Sequence, residues 1–135
     1  MNARLFIRNI FMILAGVAGL LIKRWVSGSL SGSLSELAYS YLGNVAVSFA
    51  VYFYSYFLVS ILARGRMNRV TIAVIALVIV EGFELTNGFG IMTNVYDRFD
   101  YLANALGVAL AYLVDVVSAR VIPADPASSQ SERCC

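Results

Sequence analysis

Four long apolar stretches, separated by short polar segments, constrain this chain more than any other feature. They cover about residues 5–22, 37–62, 70–89 and 99–117. Each is close to or above the roughly 20 residues that a helix needs to cross ~30 Å of hydrocarbon at ~1.5 Å per residue. The sequence therefore predicts an all-α membrane protein, with four transmembrane helices in a compact bundle.

The composition supports this interpretation. Of the 135 residues, 60% are hydrophobic and 13% are charged, whereas a soluble domain carries roughly 25% charged residues. The apolar stretches fill residues 1–122, which we predict to be one transmembrane domain.

Residues 123–135 are rich in Ser, Ala and Pro, a composition that predicts a flexible cytoplasmic tail. Cys134 and Cys135 are adjacent in this tail, so they cannot form a disulfide that cross-links the fold. In a eukaryotic host they could instead carry lipid.

The basic residues lie near the ends of the apolar stretches and predict the topology. With the N-terminus inside, the cytoplasmic flanks hold Arg4, Arg8, Arg64, Arg66, Arg69 and Arg120, and the other side holds Lys23, Arg24 and Arg98. This bias of six to three predicts that both termini are cytoplasmic. A cleaved signal peptide is the alternative for the first stretch, but Arg8 inside it and Lys23-Arg24 after it favour a retained anchor.

The location and partners follow from the same pattern. We expect a multi-pass protein of the bacterial inner (plasma) membrane, with membrane lipids as partners. Other membrane protein subunits or a second copy of the chain are further candidate partners. The net charge of +2 gives no argument for binding nucleic acid.

Polar and small residues inside the stretches predict where helices touch. Asn44 and Ser48 are four residues apart on one helical face, and Ser55 extends this stripe, which we expect to face other helices. Small residues four apart permit close helix approach. The pairs that predict such packing notches are Ala15 with Gly19 and Gly107 with Ala111.

The segment of Gly and Ser at 27–35, between the first two apolar stretches, predicts a flexible connector.

Carboxylates inside the third apolar stretch indicate a functional site. Glu81 and Glu84 lie one helical turn apart, and Glu81 is roughly 18 Å beyond Arg69, past the middle of the hydrocarbon core. A carboxylate at that depth must be protonated, paired, hydrogen-bonded or hydrated. Asp100 and Asn104 share one face of the fourth stretch.

These residues predict a polar pocket between the helices. Its candidate ligand-binding residues are Glu81, Glu84, Arg98, Asp100 and Asn104. Asp97, just before the fourth helix, is expected to cap its N-terminus. Asp115 lies further along the same face, where a pairing with Arg120 or a role at the cytoplasmic interface is a simpler interpretation than a part in ion movement.

The run from Asp97 through Asp100, Asn104, Gly107 and Ala111, with an intramembrane Glu one loop earlier, resembles the VanZ-like membrane proteins. In that family a Glu-x-x-Gln-like segment precedes an Asp-x-x-x-Asn-x-x-Gly-x-x-x-Gly helix. Residues 35–43 also look like the family's entry to its second span. The resemblance covers residues 33–116, with a glutamate where the family has glutamine and with an alanine at its second glycine.

The resemblance implies which residues form the site, and it limits what can be said of the activity. Glu81 corresponds to the family glutamate, Asp100 to its aspartate and Asn104 to its asparagine; Glu84 with Asn87 fits the Glu-x-x-Gln pair equally well. The family is named for a protein associated with low-level resistance to a lipoglycopeptide antibiotic. Most members lack an assigned reaction.

Three functions are consistent with these features. The first is a VanZ-like protein of the cell envelope that binds a lipid headgroup or lipid-linked ligand in the polar pocket. The second is a structural or accessory subunit of a larger membrane complex, and the third is movement of protons or ions through the carboxylates. Paired carboxylates could also serve as acid and base. The chain, however, has no histidine and no metal-ligand spacing, so no catalytic residue, metal or cofactor is predicted.

Overall fold

The structure, a computed structural model, describes residues 3–62, 68–86 and 97–121. Within these ranges the chain forms four helices and no strand, so the predicted all-helical fold is confirmed. The helices are α1 (Ala3–Ser29), α2 (Ser33–Leu62), α3 (Arg69–Leu85) and α4 (Arg98–Val121). The predicted tail at 123–135 and the link at 87–96 lie outside the described residues.

Three of the described helices are long and apolar enough to cross a membrane. The segments concerned are Arg4–Lys23 in α1, Tyr41–Leu62 in α2 and Arg98–Arg120 in α4. Large apolar side chains stay exposed along all of them, among them Leu21, Leu62 and Leu106. In water such surfaces would be unfavourable, whereas lipid tails solvate them.

Helix α3 is shorter than the sequence predicted. It has 17 residues and ends at Leu85, so it is about 26 Å long, against a predicted span over 70–89. The hydroxyl of Thr86 donates to the carbonyl oxygen of Gly82 at 2.8 Å. Thr86 is the C-cap residue, with φ −93° and ψ 11°, and its backbone N–H bonds to the same carbonyl oxygen at 3.2 Å. At its other end, Asn68 caps α3 by accepting from the backbone N–H of Val70 at 3.2 Å.

The predicted flexible connector at 27–35 is wrong. Helix α1 continues to Ser29 and α2 begins at Ser33, so a short turn joins two long helices. Gly32 has a φ of +66°, a left-handed conformation that glycine adopts without a steric penalty. The backbone N–H of Ser35 bonds to the carbonyl oxygen of Gly32 at 3.1 Å and closes the turn. Composition alone indicated flexibility here, because a single left-handed glycine is not visible in composition.

Helix α2 is central and packs against all three of the others. Against α1 it places Ala46 and Ala50 next to two glycines. A Cβ on Gly16 would lie 2.8 Å from the Ala50 Cβ, and one on Gly19 would lie 3.1 Å from the Ala46 Cβ. Gly19 therefore packs as predicted, but Ala15 is exposed and Gly16 takes the place assigned to it. Consecutive residues of a helix point about 100° apart, so Gly16 faces α2 while Ala15 faces away from it.

Helix α4 packs on another face of α2 through the second predicted notch. A Cβ on Gly107 would lie 2.5 Å from the Val45 carbonyl oxygen and 2.8 Å from the Ser48 Cβ. Ala111 is fully buried in the apolar core between the helices. Helix α3 covers this pair with Ile72, Ala76 and Val80. The bundle therefore brings α2, α3 and α4 together around the polar residues of α4.

Candidate functional site

Three side-chain hydrogen bonds join α2 to α4 in a regular ladder. They run from Tyr41 to Asp97 at 2.5 Å, from Asn44 to Asp100 at 2.7 Å and from Ser48 to Asn104 at 2.8 Å. The partners are 56 residues apart in every pair, so α2 and α4 run parallel in this region. The spacing of three and then four residues keeps each partner on the facing side of its helix.

Helix α3 adds a carboxylate to the inner part of this ladder. Glu81 makes a side-chain hydrogen bond with Asn104. Its Oε2 atom is buried and has no hydrogen-bond donor among the described residues. Asp100 and Asn104 are buried as well, with 8% and 4% of their surfaces exposed. We refer to this group as the acidic layer, which consists of Asn44, Ser48, Glu81, Asp100 and Asn104.

The structure places the predicted ligand-binding residues as follows. Glu81, Asp100 and Asn104 come together in the acidic layer, and Glu84 lies near enough to Glu81 for the two carboxylates to repel each other. Arg98, in contrast, is exposed at the start of α4. It precedes Asp100 by two residues, so it projects from the opposite side of the helix and is not brought into the layer.

Asp97 has the capping role that the sequence predicted. One of its carboxylate oxygens accepts from the backbone N–H of Phe99 at 3.0 Å, and the other accepts from the Tyr41 hydroxyl. The bond from Tyr41, followed by the bond from the Phe99 backbone, lowers the pKa of Asp97 below its ordinary value. The cap thus also ties the start of α4 to α2.

This arrangement predicts how acid affects the start of α4. Because the pKa of Asp97 is lower in the folded protein, its stabilising contribution is present above the unfolded pKa of about 3.9 and is lost as the pH falls through the folded pKa. We expect wild type to be more stable than Tyr41→Phe at pH 7 and this difference to shrink in acid. Unfolding of both proteins as a function of pH measures it. A difference that stays constant with pH would contradict the assignment.

A second polar group lies where α1 and α3 begin and where α2 and α4 approach their ends. Asp115 is completely buried and pairs with two guanidinium groups, Arg8 at 2.8 Å and Arg69 at 2.9 Å. The Tyr52 hydroxyl donates to the same carboxylate at 3.2 Å. We call Arg8, Tyr52, Arg69 and Asp115 the arginine cluster. It joins residues from all four described helices.

This cluster was not predicted. In the sequence, Arg8 and Arg69 have the positions of topology signals, and Arg120 is the nearest basic residue to Asp115; the structure leaves Arg120 exposed. The Arg8 side chain also donates to Ser118 at 3.2 Å and lies 5.5 Å from the Tyr56 ring centroid. One signal was available, because Arg8 and Asp115 are opposite charges inside apolar stretches, at similar distances from the same predicted membrane face.

No family model, curated protein or solved structure matches the chain. The described residues include no group of three His, Cys, Asp or Glu side chains placed to hold a metal ion. Any assignment of function therefore depends on the acidic layer and the arginine cluster.

Proposed function

We propose that this chain is a VanZ-like, multi-pass protein of the bacterial inner membrane that binds a lipid headgroup or lipid-linked ligand in its acidic layer. The observation that carries the proposal is the buried Oε2 of Glu81, which no donor among the described residues satisfies. An unpaired buried acceptor is costly, so a ligand that donates a hydrogen bond to it would be strongly favoured.

The charge of the layer indicates the chemistry of that ligand. Glu81 and Asp100 are acidic, Glu84 adds a nearby carboxylate, and the remaining members are an alcohol and two amides. Lys23 of α1 lies over the Tyr39 ring, 4.6 Å from its centroid. A bare phosphate would be repelled here. An ammonium group would be attracted more strongly than a hydroxyl group, because it brings a positive charge as well as hydrogen-bond donors, which favours an amine-bearing headgroup.

The proposed placement in the membrane puts the layer near the lipid headgroups. With both termini cytoplasmic, the arginine cluster lies toward the cytoplasm and α4 begins at the outer interface. Asn104 is then only about 9 Å along α4 from Arg98, within reach of a headgroup. We further propose that α3 spans the membrane, since Val74, Val78 and Phe83 are exposed along it.

The second polar group does not favour ion movement. Between the acidic layer and Asp115, α4 runs for eleven residues, about 16 Å, past the buried Val108 and Ala111. Helix α3 faces this region with the buried Ala76. Along α4, apolar residues therefore separate the two polar groups, so lipid binding is better supported than ion movement.

Lipid retention tests the proposal. The full chain is placed in nanodiscs that contain equal amounts of phosphatidylethanolamine and phosphatidylglycerol, and the lipids it retains are counted by native mass spectrometry. We expect enrichment of phosphatidylethanolamine, and we expect Asp100→Asn to lower this enrichment about tenfold. That factor corresponds to about 1.4 kcal/mol, at the lower end for a hydrogen bond to a charged group.

The matched control is Glu36→Gln. It removes the same charge from an exposed residue in the first turn of α2, at the same end of the bundle but outside the acidic layer. The control is expected to retain lipid as wild type does. Equal enrichment in Asp100→Asn and wild type, or an equal loss in the control, would refute the proposal.

A further inference from the structure

The arginine cluster carries more positive charge than its single carboxylate can neutralise. Asp115 Oδ1 pairs with Arg8 at 2.8 Å, and Asp115 Oδ2 pairs with Arg69 at 2.9 Å. The second oxygen also accepts from the Tyr52 hydroxyl. Arg8 Nε is buried and has no hydrogen-bond partner among the described residues. The cluster therefore keeps one net positive charge, and uncompensated charge in a bundle interior is costly.

The other described carboxylates are too far away to neutralise that charge. All of them lie at the opposite end of the bundle, near the start of α2, the end of α3 or the start of α4. They are Glu36, Glu81, Glu84, Asp97 and Asp100. An anion that completes the cluster would therefore come from outside the described residues.

Arg69 presents the uncompensated charge at the surface. The Arg8 side chain is 6% exposed and depends on Asp115, whereas the Arg69 side chain is 39% exposed. Arg69 reaches Asp115 through Nε, and its terminal Nη groups make no hydrogen bond with a described residue. These two groups form one edge of a planar fork, a geometry that can bind two oxygens of one phosphate.

The start of α3 adds to the attraction for an anion. Arg69 is the first residue of this 17-residue helix, and the first turn contains no acidic residue. A helix N-terminus carries a positive partial charge and has backbone N–H groups outside the helical ladder. Asn68 accepts from the N–H of Val70, and phosphate oxygens can accept from the neighbouring N–H groups.

We propose that Arg69 and the first turn of α3 bind the phosphate group of a membrane phospholipid. In the orientation proposed above, this end of the bundle lies at the cytoplasmic interface, where lipid phosphates are found. The phosphate supplies the negative charge that the cluster lacks. The site is separate from the acidic layer and does not depend on the ligand of that layer. Since phosphatidylethanolamine and phosphatidylglycerol share the phosphodiester, it does not select between them.

Thermal unfolding of the full chain in maltoside micelles tests the site. Dioleoylphosphatidylglycerol is compared with dioleoylglycerol, which lacks the phosphate, and with inorganic phosphate at constant ionic strength. Phosphatidylglycerol has no amine, so it is not a ligand of the acidic layer. We expect the phospholipid to raise the melting temperature by a few degrees relative to dioleoylglycerol. An equal rise with inorganic phosphate alone would overturn the assignment to a lipid.

Two variants locate the effect. Arg69→Gln is expected to abolish the rise, and it leaves the buried pair of Arg8 and Asp115 in place, so the variant is expected to fold. Arg120→Gln removes the same charge from an exposed residue in the last turn of α4, at the same end of the bundle, and is expected to keep the rise. A rise that Arg69→Gln leaves unchanged, or that Arg120→Gln removes equally, would overturn the proposal.

Discussion

Replacing Asp115 with asparagine is expected to lower the free energy of unfolding by about 3–5 kcal/mol, because it leaves buried Arg8 without its counter-charge. The side chains of Arg8 and Asp115 are 6% and 0% exposed, so water cannot compensate. Arg69 is 39% exposed on its side chain and can turn its guanidinium toward water. Reversible unfolding in mixed detergent and dodecyl sulfate micelles measures the change.

Two further variants test the explanation. Arg8→Met combined with Asp115→Leu removes both buried charges together, and much of the lost stability should return. Arg120→Gln removes the exposed charge that the sequence paired with Asp115 and should change stability by less than about 0.5 kcal/mol. A loss in Arg120→Gln as large as that in Asp115→Asn would contradict the observed pairing.

Gly107→Ala is expected to cost about 1–3 kcal/mol, because its Cβ would come within 2.5 Å of the Val45 carbonyl oxygen. Backbone cannot move aside as a side chain can, so α4 must shift away from α2. This shift would lengthen the bond from Ser48 to Asn104, which is 2.8 Å long in the native bundle. Lipid retention should therefore fall together with stability.

The matched control for Gly107 is Gly82→Ala. Gly82 is also a helical glycine, but a Cβ on it meets nothing within 4 Å. There the alanine should leave stability unchanged or raise it by about 0.5–1 kcal/mol, since glycine weakens a helix interior. If Gly107→Ala behaves like this control, α2 and α4 do not make the close approach described above.

The helices were predictable because the signal for them is local. An apolar run of membrane length can be recognised from its own residues alone. The Gly107 notch could likewise be identified from small residues on one helical face. The turn at Gly32 and the end of α3 at Thr86 were not predicted. Each is set by the backbone conformation of one residue, which average composition does not record.

For the acidic layer, the sequence predicted which residues share a face of one helix, but not which helix faces meet. Periodicity placed Asp100 and Asn104 on one face and Asn44 and Ser48 on another, but it could not say that these two faces meet. The arginine cluster was missed for the same reason. Asp115 is separated from its partner Arg8 by more than a hundred residues, and the nearer Arg120 was the simpler choice.

In the proposed function, an amine-bearing headgroup contacts the carboxylates of the acidic layer. Solid-state NMR on proteoliposomes tests it directly, with 15N in the ethanolamine headgroup and 13C in the carboxyl groups of Asp and Glu. We expect dipolar coupling between the headgroup nitrogen and a carboxyl carbon, and we expect Asp100→Asn to reduce it while Glu36→Gln does not. The absence of coupling in the wild type, or coupling that Asp100→Asn leaves unchanged, would contradict the proposed contact.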